Sequence, residues 1–249
     1  MKKIIFLISF VLMLSSVSFA DMNKQEASSI FDRANTAYQQ GNYTEAIDQY
    51  ESILAGGLES GPVYYNLGNS YFRKGRAGKA ILNYERAREL TPRDRDLNFN
   101  YKHAKKQILS EAGSSGFIQK LVASHTSFYS ISEMVVCVTT LFLLAGALIL
   151  FSLYLKWPMR LVINIGIVLD ILLIIHIGGL VIKSQDMNNA AIILETTAAK
   201  FEPREDSTTH YKLEEGAKAK IVKTEGDWVK IKRPDGKLGW VFKQALEPI

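Results

Sequence analysis

Apolar and polar positions follow three different patterns along the chain, and each pattern predicts a different kind of structure. From about residue 25 to residue 110, apolar residues recur every three or four positions, which is typical of amphipathic helices. Two uninterrupted apolar stretches follow, at 134–155 and 161–182, and residues 190–249 contain short runs that alternate apolar with polar positions, as β-strands do. The pattern therefore predicts a multidomain protein with an all-α first part, a hairpin of two membrane-spanning helices and an all-β C-terminal barrel.

The helical part contains a self-repeat with a period of 34 residues. The segment "AYQQGNYTEAIDQY", which starts at Ala37, aligns with "YFRKGRAGKAILNY", which starts at Tyr71. The alignment pairs Gly41 with Gly75, Ala46 with Ala80, Ile47 with Ile81 and Tyr50 with Tyr84. Each unit is predicted to be a helical hairpin, with a left-handed glycine at its turn and a small residue where the two helices pack closely.

The second unit resembles a tetratricopeptide repeat. It carries the aromatic, Leu-Gly, turn-glycine, alanine and closing-proline positions of that family as Tyr64, Leu67, Gly68, Tyr71, Gly75, Ala80, Tyr84, Ala87 and Pro92. The first unit departs from the family pattern at three positions, which hold Arg33, Ala34 and Leu58. Core packing is the expected role of the aromatic residues in this pattern. Because a repeat array must cover its last apolar face, a further helix with Leu97, Tyr101, Ala104 and Ile108 on one side is predicted to cap the domain, which spans residues 25–110.

The resemblance also implies a shallow concave groove, lined by the first helix of each hairpin, that binds a peptide. The residues at the family's groove positions are Asn35, Tyr38, Tyr65, Asn69, Phe72, Arg73 and His103. Asn35 and Asn69 lie one repeat apart, so we expect their two side-chain amides to hold one extended backbone.

The first twenty residues predict a secretory signal that is cut after Ala20. They contain two lysines, and their removal lowers the formal net charge from +5 to +3, which does not indicate a nucleic-acid partner. The only cysteine, Cys137, lies in the first apolar stretch, so the exported parts are expected to contain no disulfide.

Each apolar stretch is long enough to cross a bilayer. Met134–Leu155 contains 22 residues without a charge, and at about 1.5 Å per residue it spans the hydrocarbon core. Ser130 and Glu133 have the spacing of a capping box for this helix. The second predicted span is Leu161–Ile182.

The connector "KWPMR" between the spans carries two basic residues beside a tryptophan. The positive-inside rule places this connector in the cytoplasm, in agreement with the signal sequence. Both soluble domains are therefore predicted to face the periplasm, on either side of a two-span anchor in the inner membrane of a bacterium. Residues 111–133 are predicted to form a Ser/Gly joint followed by a short amphipathic segment on the outer leaflet.

Two ionisable residues lie within the second predicted span. Asp170 is near its middle, level with Gly146, and His176 lies about two turns further out, level with Thr139 or Thr140. Charged groups at this depth usually face protein and have a partner. Two interpretations stay open: a functional site, which is a polar lock to another membrane subunit or a proton-handling site, and a protonated Asp170 bonded to backbone within its own hairpin.

The C-terminal segment resembles a bacterial SH3 domain. The resemblance lies in a Gly turn, a Gly-Asp-Trp-Val-Lys-Ile strand, an Asp-Gly turn and a Gly-Trp-Val strand, at Gly216, Gly226–Ile231, Asp235–Gly236 and Gly239–Val241. It implies that Val229, Ile231 and Val241 fill the core. Trp228 is predicted to point to the other face, where it either binds a ligand or packs within the domain. Phe242 stands where many members of the family have proline, so the resemblance implies cell-wall peptides or protein domains as ligands instead of Pro-rich peptides.

The complete order of signal, repeats, paired spans and SH3-like domain resembles the BatE-type proteins of aerotolerance operons. This resemblance implies partners such as membrane-anchored von Willebrand A-domain proteins and a MoxR-type ATPase.

Catalytic chemistry is not indicated by any motif in the sequence. The four histidines fall in four different segments, and the chain has no phosphate-binding loop, metal-ligand cluster or nucleophile motif. The sequence therefore predicts a protein without cofactors that is not an enzyme. The leading hypothesis is an inner-membrane scaffold that presents two binding modules to protein partners. The alternatives are an anchor or sensor that binds peptidoglycan, and a subunit of a transport or proton-coupled complex that uses Asp170.

Overall fold

The structure is a computed structural model that describes residues 24–108, 117–155 and 157–249. The predicted signal, the Ser/Gly joint and Lys156 lie outside these residues. Within them, the chain folds into five helices of a repeat domain, a short helix, two long apolar helices and a seven-stranded antiparallel sheet. The predicted multidomain architecture is thus confirmed.

The repeat domain consists of two helical hairpins and a fifth helix. The helices are α1 (24–39), α2 (Tyr43–Ala55), α3 (Gly61–Arg73), α4 (Ala77–Leu90) and α5 (Arg95–Ile108). Gly41 and Gly75 have φ values of 82° and 72° at the two hairpin turns, which confirms the left-handed backbone predicted there. Ser60 caps α3 by accepting a hydrogen bond from the Val63 N–H, so the second hairpin has a well-defined start.

The core of this domain lies between the two helices of each hairpin. A Cβ on Gly68 would lie 2.7 Å from the ring of Tyr84, which explains why the second repeat needs glycine there. Ala34 takes the equivalent place in the first repeat and is fully buried, so this repeat forms despite its departures from the family pattern. The predicted capping helix is also confirmed, because Leu97, Tyr101 and Ala104 are buried on α5.

Three helices follow the repeats. They are α6 (Phe117–Phe128), α7 (Ile131–Leu155) and α8 (Met159–Asn188). The latter two are long and apolar enough to cross a membrane, with a mean hydropathy of 2.7 and 2.6, which is consistent with a two-span membrane protein. The capping box is confirmed, since the Ser130 N–H donates to Glu133 Oε2 (2.9 Å) and the Glu133 N–H donates to Ser130 Oγ (3.2 Å).

The C-terminal segment forms a barrel-like sheet with the strand order β3-β2-β6-β5-β4-β1-β7. Its strands are β1 (Ala190–Ile193), β2 (Thr197–Lys200), β3 (Thr209–Leu213), β4 (Lys218–Glu225), β5 (Trp228–Lys232), β6 (Leu238–Phe242) and β7 (Leu246–Pro248). Val229, Ile231 and Val241 are buried in its core, as the resemblance implies. β1 starts two residues after the end of α8, so the sheet is joined directly to the second long helix.

The barrel packs against α4 of the repeat domain. Ile192 of β1 is fully buried within the helical core, and Leu194 and Ile249 pack against the same cluster. A Cβ on Gly78 would lie 2.7 Å from the carbonyl oxygens of Ile193 and Leu194, so only glycine permits this approach of β1 to α4. The repeats and the barrel therefore form one packed unit, which the sequence pattern did not predict.

Candidate binding surfaces

A ladder of amide groups runs across the first helices of the repeats. Asn35 Oδ1 accepts hydrogen bonds from the Tyr50 hydroxyl (2.6 Å) and from Asn66 Nδ2 (2.9 Å). One repeat further on, Asn69 Oδ1 accepts the equivalent bonds from the Tyr84 hydroxyl (2.7 Å) and from Asn100 Nδ2 (3.0 Å). Every residue of the first set thus has its counterpart 34 positions later.

The ladder fixes which way the two amides point. Because the carbonyl oxygens of Asn35 and Asn69 are each held by two donors, the other end of each amide is its NH₂ group. Neither nitrogen has a hydrogen-bond partner within residues 24–108, 117–155 and 157–249. Two N–H donors one repeat apart are thus available for the carbonyl groups of an extended chain.

The buried tyrosines stabilise this arrangement. Burial raises the pKa of Tyr50 to about 12, and burial likewise raises the pKa of Tyr84 above its ordinary value of 10.0. Both phenols therefore stay protonated and donate to their asparagine at any physiological pH. They belong to the core and to the ladder at once.

Aromatic and cationic side chains flank the ladder. Tyr38 contacts Tyr43 edge-on at 5.4 Å between ring centroids, and the guanidinium of Arg73 lies 4.7 Å from the Tyr43 ring. At the other end, Phe72 contacts His103 at 6.0 Å between ring centroids. Tyr65 lies between them, where its hydroxyl accepts a hydrogen bond from Asn100 Nδ2 (2.8 Å). All seven predicted groove residues therefore lie on the first helices of the repeats or on the capping helix, and we refer to this surface as the groove.

The groove differs from the α4 face, where a buried carboxylate joins the repeats to the barrel. Glu85 is 5% exposed, lies 3.4 Å from Lys218 of β4 and accepts a hydrogen bond from the Tyr101 hydroxyl. Burial alone would raise the pKa of Glu85, but the nearby Lys218 and Arg88 and the bond from Tyr101 hold the pKa below its ordinary value.

Two further contacts on this face strengthen the joint between repeats and barrel. The Gly78 N–H donates to the carboxylate of Glu215 (2.6 Å), and Arg86 donates to Glu247 (3.0 Å) at the end of the barrel. Both pairs link α4 to loops or strand ends of the barrel, so the joint extends over about two turns of the helix.

The same side of the repeat domain also contacts the long apolar helices. Lys183 of α8 is 5% exposed and lies 2.8 Å from Glu89 of α4, and its ammonium donates to the carbonyl oxygens of Thr126 and Tyr129. Arg93 donates to Glu133 at the start of α7 (3.0 Å). The repeat domain is thus held against the end of the helical hairpin by two charged pairs.

On the barrel, Trp228 is half-buried and contacts Phe242 in a tilted arrangement, with 4.3 Å between the ring centroids and 39° between the ring planes. Val229 and Ile231 point into the core, so Trp228 lies on the opposite face of β5, as predicted. Trp240 lies on that same outer face, and the ammonium groups of Lys223 and Lys230 are each 5.7 Å from its ring centroid. Trp240 is only 6% exposed, so its ring is covered by neighbouring side chains.

The two ionisable residues of the second predicted span lie in different surroundings. Asp170 is exposed on α8, and both interpretations of this residue, a functional site and a backbone bond within its own hairpin, stay predictions. His176 contacts His125 of α6 and Tyr129, just after α6, at 5.1 Å and 5.8 Å between ring centroids. The structure therefore brings together two histidines that are far apart in the sequence.

Several residues of these surfaces were missed by the sequence analysis. Asn66 and Asn100 carry the repeat period and could have been found by extending the alignment beyond the quoted segments. Glu85, Lys183 and Lys218 had no such signal, because isolated charges on a helix or strand are usually solvated.

Comparison with known families matches two parts of the chain. Residues 31–95 match the model of the tetratricopeptide repeat, and residues 201–247 match the model of the bacterial SH3 domain. No curated protein matches the chain. Tetratricopeptide repeats and bacterial SH3 domains together indicate a role in protein–protein interaction or cell-wall binding.

Proposed function

We propose that this protein is a non-enzymatic membrane scaffold that holds an extended segment of a protein partner in the groove of its repeats. The observation that carries the proposal is the amide ladder, in which Asn35 and Asn69 are oriented identically and present their NH₂ groups one repeat apart. An extended peptide has a carbonyl group every residue, so two fixed donors hold its backbone without reading its sequence. The surrounding aromatic side chains supply contact area at small entropic cost.

The groove favours a partner segment that is rich in acceptors or acidic groups. Its polar contributions are the two amide donors, the Arg73 guanidinium and the His103 ring. With only two hairpins and a cap, the contact area is small, and the affinity is expected to be modest.

The proposal includes a two-span anchor with the repeats and the barrel on the same, periplasmic side of the inner membrane. The contact between α4 and the barrel supports the shared side, while the signal-like start and the basic connector support its identity. Reporter fusions after Ser110, within the connector and after Ile249 test this topology. A reporter that works only in the cytoplasm is expected to be active at the connector alone. Its activity at either of the other two positions contradicts the proposal.

A narrower form of the proposal follows from the resemblance to BatE-type proteins of aerotolerance operons. In that form, the partners include membrane proteins with a von Willebrand A domain, and the scaffold acts in a stress-related complex. The order of modules along the chain supports it. Deletion of the gene followed by exposure to oxygen, and co-purification of neighbouring gene products, test it directly.

The decisive test of the groove is the variant Asn69→Asp. It keeps the oxygen that accepts from Tyr84 and Asn100 but replaces the NH₂ donor with an anionic acceptor, so the fold is preserved while the donor is lost. We expect co-purification of membrane partners to fall about tenfold or more, as the loss of a hydrogen bond and the added repulsion together predict.

Two further variants accompany this test, one with a larger change in the groove and one as a control outside it. The double variant Asn69→Ala with Arg73→Ala is expected to abolish co-purification, whereas Asp48→Asn, a change of charge on the exposed side of α2, is expected to leave it unchanged. If Asn69→Asp and the double variant both retain every partner, the groove is not the binding site.

Binding of peptidoglycan by the barrel is the second candidate function. The contacting rings of Trp228 and Phe242 on the outer face of the sheet favour it, because aromatic side chains on a surface are frequent anchors for ligands. Co-sedimentation of the full-length protein in detergent with purified sacculi, compared with the variant Trp228→Ala, separates this candidate from the scaffold.

Asp170 supports a lateral contact within the membrane as part of the scaffold. An exposed carboxyl group near the middle of an apolar helix is costly in lipid, and a polar group on a neighbouring helix would remove this cost. We expect Asp170→Leu to reduce co-purification of a membrane subunit while the soluble modules keep their melting temperature. A complex that uses Asp170 for proton transfer would instead lose its transport activity with the subunit still bound.

A further inference from the structure

The direction of β4 relative to the membrane can be read from three successive contacts. Gly216, just before β4, packs on Ile81 of α4. Lys218 then reaches Glu85, one turn further along α4, and Lys220 forms an ion pair with Asp186 of α8. Going from Gly216 to Lys220, the strand therefore approaches the second long helix.

The α4 helix runs in the same direction. Ile81, Glu85 and Glu89 follow one another on one side of α4 at intervals of one turn, and Glu89 contacts Lys183 of α8. Lys183 directly follows the predicted span, which ends at Ile182. Both α4 and β4 thus lead from the far end of the repeat domain toward the surface of the membrane.

The remainder of β4 extends beyond this point. Asp186 lies four residues after Ile182, which corresponds to a rise of about 6 Å above the end of the predicted span. The backbone of Lys220 pairs with Ala190, which lies eight residues after Ile182 and so at most about 12 Å above the end of the predicted span. The strand continues from Lys220 to Glu225, a further length of about 16 Å. The hairpin of β4 and β5 is therefore long enough to reach the headgroup layer.

The end of this hairpin has the composition of a membrane-interfacial surface. Its members, which we call the barrel tip, are Val222, Lys223, Trp228, Lys230, Phe242 and Lys243. Val222 is 52% exposed and Phe242 36% exposed, although both are large apolar residues. Tryptophan and lysine are the residue types that favour the boundary between headgroups and hydrocarbon.

We propose that the barrel tip rests on the lipid headgroups of the leaflet from which α8 emerges. Trp228, Phe242 and Val222 enter the interfacial layer, and the lysine ammonium groups contact lipid phosphates. The barrel is then fixed at three places: by its direct link to α8, by its joint with α4 and by the lipid surface. This inference rests on the proposed two-span anchor.

The charges at the tip set the kind of surface that it fits. Glu225 forms an ion pair with Lys223, and Asp227 lies in the turn of the hairpin, so the tip has only a small excess of positive charge. Contact therefore depends mainly on the apolar and aromatic groups, and a mixed bilayer with some anionic lipid suffices.

The test uses nitroxide labels on the full-length protein in vesicles of phosphatidylethanolamine and phosphatidylglycerol. In a Cys137→Ser background, single cysteines are introduced as Val222→Cys at the tip, Lys237→Cys at the opposite end of the β5–β6 strands, and Phe142→Cys within α7. All three positions are exposed in the protein, so labelling does not disturb the core. Collision rates with molecular oxygen and with a water-soluble nickel complex report the depth of each label.

We expect a nickel collision rate about tenfold lower at position 222 than at position 237, because a charged complex is excluded from the apolar layer. Adding Trp228→Ala and Phe242→Ala is expected to restore nickel access at 222. A label at 222 that is as accessible as the label at 237, while the label at 142 is protected, overturns the inference and leaves the two-span anchor intact.

Two other outcomes of this experiment would also contradict the inference. Nickel access at position 142 contradicts the two-span anchor and the inference together. Protection at 222 that develops only after purified sacculi are added overturns the inference in favour of cell-wall binding by the tip.

Discussion

The groove and the α4 face of the repeat domain are built from similar helices, but only the α4 face is covered by other parts of the chain. On the α4 face, the barrel and the long helices cover the surface, and buried charges such as Glu85 and Lys183 have partners within the chain. On the groove, Asn35 and Asn69 are equally well oriented, yet their donors meet no group of the described residues.

The comparison separates two uses of a polar side chain. A buried charge that is satisfied by the same chain fixes the position of one module on another. An oriented donor that meets no group of the described residues is available to a ligand. A tetratricopeptide hairpin therefore serves here both as a structural base, through α4, and as a candidate receptor, through its first helices.

The largest effect is expected from reversing the charge at the joint, in the variant Glu85→Lys. A third cation would then be buried beside Lys218 and Arg88, which we expect to destabilise the contact of repeats and barrel by about 3 kcal/mol or more. Thermal unfolding and limited proteolysis of the full-length protein measure this loss. Asp48→Lys, which makes the same change of charge on an exposed side of α2, is the matched control and should melt like the parent protein.

The variant Gly78→Ala tests the close approach of β1 to α4. Within an isolated helix, this change stabilises by about 0.5–1 kcal/mol, because glycine is a poor helix former. Here the added methyl group meets the backbone of Ile193 and Leu194, so we expect a net loss of about 1–3 kcal/mol. Gly146→Ala, where the new Cβ meets open space, is the control. A higher melting temperature for Gly78→Ala would show that the barrel does not dock on α4.

Acid is expected to weaken the same joint by a smaller amount. The folded protein holds the pKa of Glu85 below its ordinary value of 4.5, through the charges of Lys218 and Arg88 and the bond from Tyr101. The stabilisation is then complete above pH 4.5 and is lost as the pH falls through the lower folded-state pKa. Melting temperatures measured between neutral pH and pH 3 should decrease less steeply for Glu85→Gln. An identical slope for both proteins would show that Glu85 does not cause the acid sensitivity of the joint.

The smallest effect on stability is expected for Trp228→Ala. Trp228 is half-buried and its ring contacts the tilted ring of Phe242, so its truncation should cost about 1 kcal/mol. A core aromatic residue would cost about 3–5 kcal/mol. A melting temperature that falls as far as expected for a core residue would assign Trp228 to packing and remove it from any ligand or lipid surface.

The sequence predicted the elements of this protein well and their mutual packing poorly, for a physical reason. The helical period, the apolar stretches and the alternation of the strands each depend on residues that are close in the sequence. The hairpin turns at Gly41 and Gly75 and the core positions Val229 and Val241 could therefore be identified. The groove residues followed from the family pattern. Docking of the barrel on α4 depends on single positions such as Gly78, which has no periodic counterpart and is an ordinary helical residue until β1 packs against it.

We expect the groove to receive a partner and the other sides of the repeat domain not to do so. Site-specific photocrosslinking in intact cells tests it, with a photoreactive amino acid placed at position 72 in the groove or at position 48 on the exposed side of α2. We expect a discrete protein adduct from position 72 that disappears when Asn69→Asp is added, and no adduct from position 48. No adduct at position 72, or the same adduct from both positions, would contradict it.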